Sequence, residues 1–559
     1  MNNNSLALIL SAPDTSLVQA QVINVSNSSN NGYRRIFEGK YVQINRRTKN
    51  DEILGRISKI IPYNSFYNVG DAWTEARKRG LTLPTGISRT YTVIEIDLLR
   101  ILKGAYSIDI PPLPGDLVYE LSEDSLRSMF GDFNNQPWIP FGHIIGYPNV
   151  QIPLLVNNIT QHLAIFGTTG SGKSFNAGIL FQELSRIRFK NHFVPFPILL
   201  IDAHGDYTAF KDHCKIQATE NFDENKSLLF DDVIRFSFPL AFEGSNEDHY
   251  DKKIGLNLGE LGIRNVAEII LIFHRGTLEG SEQQVASLEI ALTGILDKED
   301  ISEENMNKFF TSDQRFDDLV NFIEDYDSTV MHSSSKSAII RALRNFRQEI
   351  ERTHKLLSVN SELTKQGWID KLVNKENPKF YIIDFSSQGA PGASQQVKQL
   401  VVAYLATRLF RQFMNYSVKK KRKYILFAIE EAQIFCPSQQ FSSSAKLTHK
   451  ILFDIATQGR KFGLSLCLIS QRPSFLDSNI VSMCNSFVIQ RIAQDDIPFV
   501  LKVTGGLPTS VKNRLTNLPT GQAILTGQLI PTPYSLICKI PKSQRIVSHQ
   551  TGTVNIMEE

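Results

Sequence analysis

The hydrophobic pattern changes rhythm along the chain. Before about residue 150, apolar positions alternate with polar ones, as at Val42 and Ile44, or at Ile94, Ile96 and Leu98 around Glu95 and Asp97. Gly, Pro and Asn clusters separate these runs, among them Pro111-Pro-Leu-Pro-Gly115 ahead of Leu117-Val-Tyr-Glu-Leu121. A period of two with turn residues between runs predicts antiparallel strands with one buried face, and a small β-barrel is expected over residues 1–148.

From residue 149 the runs become short and wholly apolar: Ile198–Ile201, Phe380–Ile383, Tyr424–Ile429, Leu464–Ile469 and Phe487–Ile489. Strands this apolar suit a parallel sheet covered on both faces, so α/β segments are expected over 149–244 and 376–500. Between 245 and 375 the strand-like runs stop. Val285, Leu288, Leu292 and Ile295 recur at helical spacing, as do Ile340, Leu343, Phe346 and Ile350, which predicts an inserted helical bundle. Ser281-x-x-Gln284 has the form of a capping box at the start of one helix. The segment 501–559 is rich in Pro, Thr and Gly, carries the apolar stretch Gln522–Leu525, and is expected to pack on the core or on a neighbouring subunit.

Composition narrows the class without naming it. Of 559 residues, 42% are hydrophobic and 21% charged, the balance of a folded chain with more than one domain. A formal net charge of +3 gives no global basic field, so any nucleic-acid contact has to be local. Arg34, Arg35, Arg46, Arg47 and Lys49 form one such cluster, open between a solvated rim and a DNA contact; Lys419–Lys423 is open in the same way. The five cysteines show no C-x-x-C pairing, which disfavours zinc or a disulfide framework and predicts isolated buried thiols. No apolar run reaches the ~18 residues of a membrane span and the start lacks a basic leader, so a cytoplasmic protein with no membrane partner is expected.

One motif carries the chemistry. Gly167-Thr-Thr-Gly-Ser-Gly-Lys-Ser174 fits the phosphate-binding pattern G-x-x-x-x-G-K-[ST], between a short buried strand at His162–Phe166 and helical periodicity from Phe175 to Arg188. Glycines let the backbone close around phosphate oxygens, and N–H groups at a helix N-terminus supply fixed positive potential. Gly167, Thr168, Thr169, Gly170, Ser171, Gly172, Lys173, Ser174 and Phe175 are therefore expected to hold ATP, with Lys173 on the β- and γ-phosphates and Ser174 on Mg²⁺.

Hydrolysis needs acids as well, and Tyr424–Ile429 ends in Glu430-Glu431. A parallel strand points its C-terminal end at the nucleotide, so Glu430 is expected on Mg²⁺, directly or through water, and Glu431 on the attacking water. Asp202, in Asp202-Ala-His204-Gly-Asp206-Tyr207, is a further candidate metal ligand, with a turn-capping role as the alternative. Gln471 follows Leu464–Ile469, where its amide can sense the γ-phosphate. Arg460 stands at the opposite end of that strand, poorly placed for its own nucleotide and suited to reach a neighbouring subunit as an arginine finger; Arg472 and Arg491 compete for that role.

Together, His162–Ser174, Asp202–Tyr207, Ile429–Gln433, Gly459–Gly463 and Ser470–Pro473 resemble, in order, the HerA group of the HerA/FtsK ATPases over about residues 140–530. The resemblance implies a RecA-like P-loop core with an N-terminal β-barrel and a helical insertion. It also implies a homo-hexameric, ATP-driven double-stranded DNA translocase or helicase. Members of this family commonly work with a nuclease, and bacterial ones often sit in anti-phage defence complexes with nuclease-type or sirtuin-type effectors. Where the family frequently has Glu-Ala-His, this chain has Glu431-Ala-Gln433, and it carries no nuclease motif of its own. Its near-neutral charge leaves a second reading open: a nucleotide-gated ring scaffold that activates an effector without substantial translocation.

Overall fold

The computed structural model describes residues 5–545 apart from 24–35, 65–73, 81–89, 103–106, 134, 191, 215–226, 244–250, 276–279, 328–330 and 439–444. Arg34 and Arg35 of the basic cluster lie outside the described residues. Alternation at the start of the chain becomes six strands, β1 (Ser5–Ile9), β2 (Leu17–Val22), β3 (Tyr41–Arg46), β4 (Asp51–Asn64), β5 (Thr90–Ile101) and β6 (Leu117–Glu120). They close in the order β1-β2-β5-β4-β3-β6 into a barrel, and every pairing is antiparallel. Val18, Ala20, Ile44, Ile57, Ile94, Ile96 and Val118 fill it, because each lies on the inward face of a period-two strand.

The barrel's basic residues are largely occupied. Arg46 is buried and bonds its Nε to Asp51 at 2.6 Å, across the β3–β4 hairpin. Arg47 pairs with the buried Asp116 at 2.8 Å. The chain-distant contact from Arg56 Nη1 to the Ser535 carbonyl, 2.9 Å, ties the barrel to the second body of the protein.

That second body is built on a 14-stranded mixed sheet among the described residues. Its further strands are β7 (Trp138–Ile144), β8 (Gln151–Leu155), β9 (Leu163–Phe166), β10 (Ile187–Phe189), β11 (His192–Val194), β12 (Ile198–Asp202), β13 (Val233–Ser237) and β14 (Asp251–Lys253). After the helical region come β15 (Phe380–Asp384), β16 (Ile425–Ile429), β17 (Leu464–Ser470), β18 (Ser486–Ile489), β19 (Gln522–Gly527) and β20 (Leu536–Lys539). The order is β11-β10-β7-β20-β19-β18-β9-β17-β16-β12-β15-β13-β14, with β8 on β7. From β18 to β14 all neighbours run parallel; the β7 and β19–β20 side is antiparallel. The α/β class with an N-terminal barrel and inserted helices is therefore present as expected.

Several local readings change. β7 belongs to the large sheet, so the barrel's last strand ends at Glu120, ahead of the sequence-based limit at 148. The helix after the phosphate loop runs Lys173–Leu184, shorter than its periodicity suggested, because the chain turns at Ser185 into the β10–β11 hairpin. Within 245–375, β14 adds a three-residue strand beside β13. Helices Ile263–Arg275, Glu282–Lys298, Asp313–Glu324 and Ser333–Arg347 fill most of the rest and share the core on one face of the sheet. Ser281 does stand at an N-cap, but its side chain makes no capping hydrogen bond.

All five cysteines are buried and free. Among the described residues, no helix is long and apolar enough to cross a membrane. The opposite face of the sheet encloses Lys173–Leu184, where Phe181, Phe210 and Phe230 pack around Phe380 with ring centres 5.6–6.0 Å apart. Phe380→Ala should therefore cost about 3–5 kcal/mol. Urea unfolding followed by fluorescence checks this; an unshifted midpoint would contradict the packing.

Candidate active site

Strand register gathers the polar ends of six strands on one edge. Asp202 is level with Asp384, Ile201 with Ile429, Ile429 with Leu468, and Phe166 with both Ser470 and Ile489. The residues just beyond, Gly167, Glu430, Gln471 and Gln490, thus emerge side by side with no freedom to choose another edge. The phosphate loop fastens here through its backbone. Gly167 N–H donates to Ser470 O at 3.2 Å, and Thr168 N–H donates to Arg491 O at 2.8 Å.

The loop's shape depends on its glycines. Gly170 and Gly172 have φ of +73° and +95°, conformations that side chains rarely adopt. A Cβ on Gly167 would stand 2.5 Å from both Ser171 Oγ and Gln490 Oε1. Ser171 Oγ instead donates to the buried Gln490 at 3.2 Å. From the far end of the chain, Thr520 Oγ1 donates to Gly170 O at 3.1 Å. A tight turn feeding the N-terminus of a buried helix is the cradle a polyphosphate needs.

Charge is concentrated at the helix start. Lys173, Glu430 and Glu431 are 4%, 0% and 5% exposed, and the Lys173 ammonium lies 3.7 Å from Glu430 and 3.4 Å from Glu431. Ser174 Oγ donates to Glu430 Oε1 at 3.2 Å, and Ala203 N–H donates to Glu430 Oε2 at 3.2 Å. A hydroxyl and a carboxylate at that spacing suit a hard divalent cation such as Mg²⁺, which prefers oxygen donors. Burial raises the Glu430 carboxyl above its usual range, with the Lys173 charge opposing.

Glu431 is held differently. It occupies the left-handed region, φ +48°, which turns its side chain back toward the loop. Gln471 Nε2 donates to its Oε1 at 2.6 Å and Gln433 Nε2 to its Oε2 at 2.5 Å; His204 Nε2 is 3.6 Å away. Burial pushes its carboxyl up, but the His204, Lys173, Gln433 and Gln471 contacts outweigh that and hold it at about 2. The His204 imidazole is raised in return, first by its bond to Glu431. A buried carboxylate kept ionised and fixed by amides can orient and polarise a water.

Of the remaining candidates, Asp202 is engaged in a turn, and Arg460 stands where its place in the sequence put it, away from its own loop. Asp202 was a candidate metal ligand, but its carboxylate closes the turn that follows it. Oδ1 accepts the N–H groups of His204, Gly205 and Asp206 at 3.3, 2.8 and 3.1 Å, and Oδ2 accepts that of Tyr207 at 2.9 Å. It supports the site through the loop that carries His204 and the Ala203 N–H. Arg460 lies exposed in the last turn of Lys446–Phe462, at the far end of β17 from the phosphate loop. Arg472 is exposed too, over the Phe475 ring at 4.4 Å, while Arg491 adjoins the loop through its carbonyl. Phe175 follows Ser174 on the helix, and Gln471 also accepts from Thr169 Oγ1 at 2.6 Å.

Other participants have weaker signals in the sequence. Asp384 ends β15 fully buried, accepting from Ser386 N–H at 2.9 Å, with Arg235 at 3.9 Å. Its one signal was an acid after an apolar run, the same signal that marked Asp202 and Glu430. Gln433 reaches Ser470 Oγ as well, which donates to it at 2.8 Å. Gln490 and Thr520 follow no motif, and only the fold brings them to the loop.

The sequence matches the family model for the central domain of helicase HerA over residues 139–409. It is similar to the DNA double-strand break repair helicase HerA of Saccharolobus solfataricus, 25% identical over 447 residues covering 79% of this chain and 76% of that protein. The corresponding protein of Sulfurisphaera tokodaii is 26% identical over 463 residues, 81% of this chain and 78% of that one. A probable helicase of Methanocaldococcus jannaschii is 24% identical across 93% of this chain and 94% of its own length. With the phosphate loop, the paired glutamates and the preceding barrel in one fold, the chain is similar to the HerA helicases over most of its length and carries the core of a P-loop ATPase.

Proposed function

We propose that the chain is an ATP-driven motor that translocates on or unwinds double-stranded DNA, acting as a homo-hexamer in the cytoplasm beside a nuclease-type or sirtuin-type effector in anti-phage defence. The observation that carries the motor is Glu431, ionised, buried and fixed by Gln471 and Gln433 beside Lys173. A chain that only bound nucleotide would have no use for a carboxylate held so. Support for DNA comes from relatives that bear the name helicase, and support for a ring from Arg460, exposed at the end of β17 away from its own loop.

In this reading Lys173 and the loop N–H groups bind the triphosphate, and Ser174 and Glu430 hold Mg²⁺. The metal would neutralise charge building on the phosphoryl oxygens. Glu431 orients the attacking water and receives its proton, and Gln471, bridging Glu431 and Thr169, links the γ-phosphate position to the base. Arg460 of one subunit serves a neighbour's site. The net charge of +3 favours a second reading, a nucleotide-gated scaffold that activates its effector with little translocation.

Glu431→Gln distinguishes them. Hydrolysis should fall by about 10²–10⁴-fold while ATP still binds, the range for a lost general base. A motor then loses function, whereas a scaffold that needs only bound ATP still activates its partner; undiminished turnover would remove Glu431 from the mechanism. Wild-type hydrolysis should rise with duplex DNA, and a rate indifferent to DNA, with none retained, would count for the scaffold.

The same variant has a second readout. His204 titrates high because it faces a carboxylate, so its protonated form is favoured up to a higher pH than in the unfolded chain. In Glu431→Gln its midpoint, followed by NMR, should drop toward the ordinary imidazole value. An unmoved midpoint would contradict the pair.

A further inference from the structure

The last described residues cross the phosphate-loop helix as a strap. Gln544 anchors it: the side-chain amide donates to Pro140 O and accepts from Gly142 N–H, both at 3.1 Å, in β7. Its backbone carbonyl accepts from Gln182 Nε2, on the helix itself, at 2.9 Å. One residue on, Arg545 places its guanidinium against the first turn. Its Nη1 donates to the carbonyls of Ser174 at 3.3 Å and Phe175 at 3.0 Å. The same group lies 5.1 Å from the Phe175 ring centre and 5.9 Å from that of Phe210.

A glycine makes this possible. A Cβ on Gly178 would stand 2.7, 2.8 and 2.9 Å from Nη1, Cζ and Nη2 of Arg545, and these are its three nearest atoms. The slot in the helix surface is thus filled by one side chain from the other end of the sequence. Phe210 sits in the short helix Thr208–His213, directly after the turn closed by Asp202. The guanidinium therefore touches both the residue whose hydroxyl meets Glu430 and the segment whose turn presents Ala203 N–H to Glu430. One guanidinium nitrogen serves both carbonyls while the planar group lies near two aromatic rings.

We propose that Arg545 is a positioning residue of the nucleotide site. It fixes the first helical turn, and through it Ser174, relative to Glu430 and the Asp202 turn. Its action is through the Ser174 and Phe175 carbonyls and requires the gap at Gly178. The proposal rests on the nucleotide-site reading above.

The test uses the full chain in three variants: Arg545→Ala, Gly178→Ala, and both together. Gly178→Ala displaces the guanidinium without deleting it, and Ala is the better helix former, so any loosening it causes is not a helix-propensity effect. Hydrogen exchange at residues 174–179 in nucleotide-free protein should speed up about tenfold in either single variant. Binding of ADP with Mg²⁺, measured by titration calorimetry, should weaken about tenfold, and the double variant should be no worse than the poorer single one. Wild-type exchange and affinity in either single variant, or losses that add in the double, would overturn the proposal. If the wild-type chain bound no nucleotide, the reading of the site would fail instead, and the exchange arm would still decide for or against the strap.

Discussion

An ammonium group shut away from water must keep its counter-charges, and Lys173 keeps two. With Glu430 and Glu431 within 4 Å and all three residues nearly inaccessible, removing Lys173 leaves buried carboxylate without its counter-charge, at a cost of about 3–5 kcal/mol. That constraint propagates outward. The loop must deliver Lys173 to the end of β9, β16 must end level with it, and each glutamate needs hydrogen-bond donors of its own. Ser174 and Ala203 serve Glu430, and Gln471 and Gln433 serve Glu431.

The two glutamates are adjacent in sequence, yet their carboxyls are pushed in opposite directions because their surroundings differ. Glu430 continues the line of β16 into the sheet edge, where burial favours its neutral form. Glu431 is turned by its left-handed backbone into a ring of donors that favours the ion. Divergent environments around neighbouring acids are how one site separates structural from chemical work. Asp202 extends the same logic: its carboxyl oxygens accept four N–H groups of a turn, and that turn supplies a donor to Glu430.

What the sequence disclosed follows from locality. The phosphate loop, its strand and helix, and Glu430-Glu431 at a strand end are contiguous, so pattern and spacing were enough to find them. In sequence Arg46 reads as part of a basic cluster, because its partner Asp51 becomes visible only once the hairpin forms. Asp202 reads as either a metal ligand or a turn cap until the N–H groups around it are known. Gln490, Thr520 and Arg545 reach the loop from more than 300 residues away, as their hydrogen bonds record, and carry no motif. β7 falls within residues 1–148 by position, while its partner β20 lies near the other end of the chain.

The central claim is that one sheet edge aligns a phosphate cradle, a metal-holding pair and an ionised base into a hydrolytic site. A crystal structure with Mg²⁺, ADP and an aluminium fluoride mimic of the transferring phosphoryl group tests it most directly. The metal should lie on Ser174 Oγ with Glu430 directly on it or one water away, Asp202 still closing its turn, and the apical water within hydrogen-bond reach of Glu431. A metal held by Asp202, or an apical water bound elsewhere with Glu431 still paired to Lys173, would contradict it.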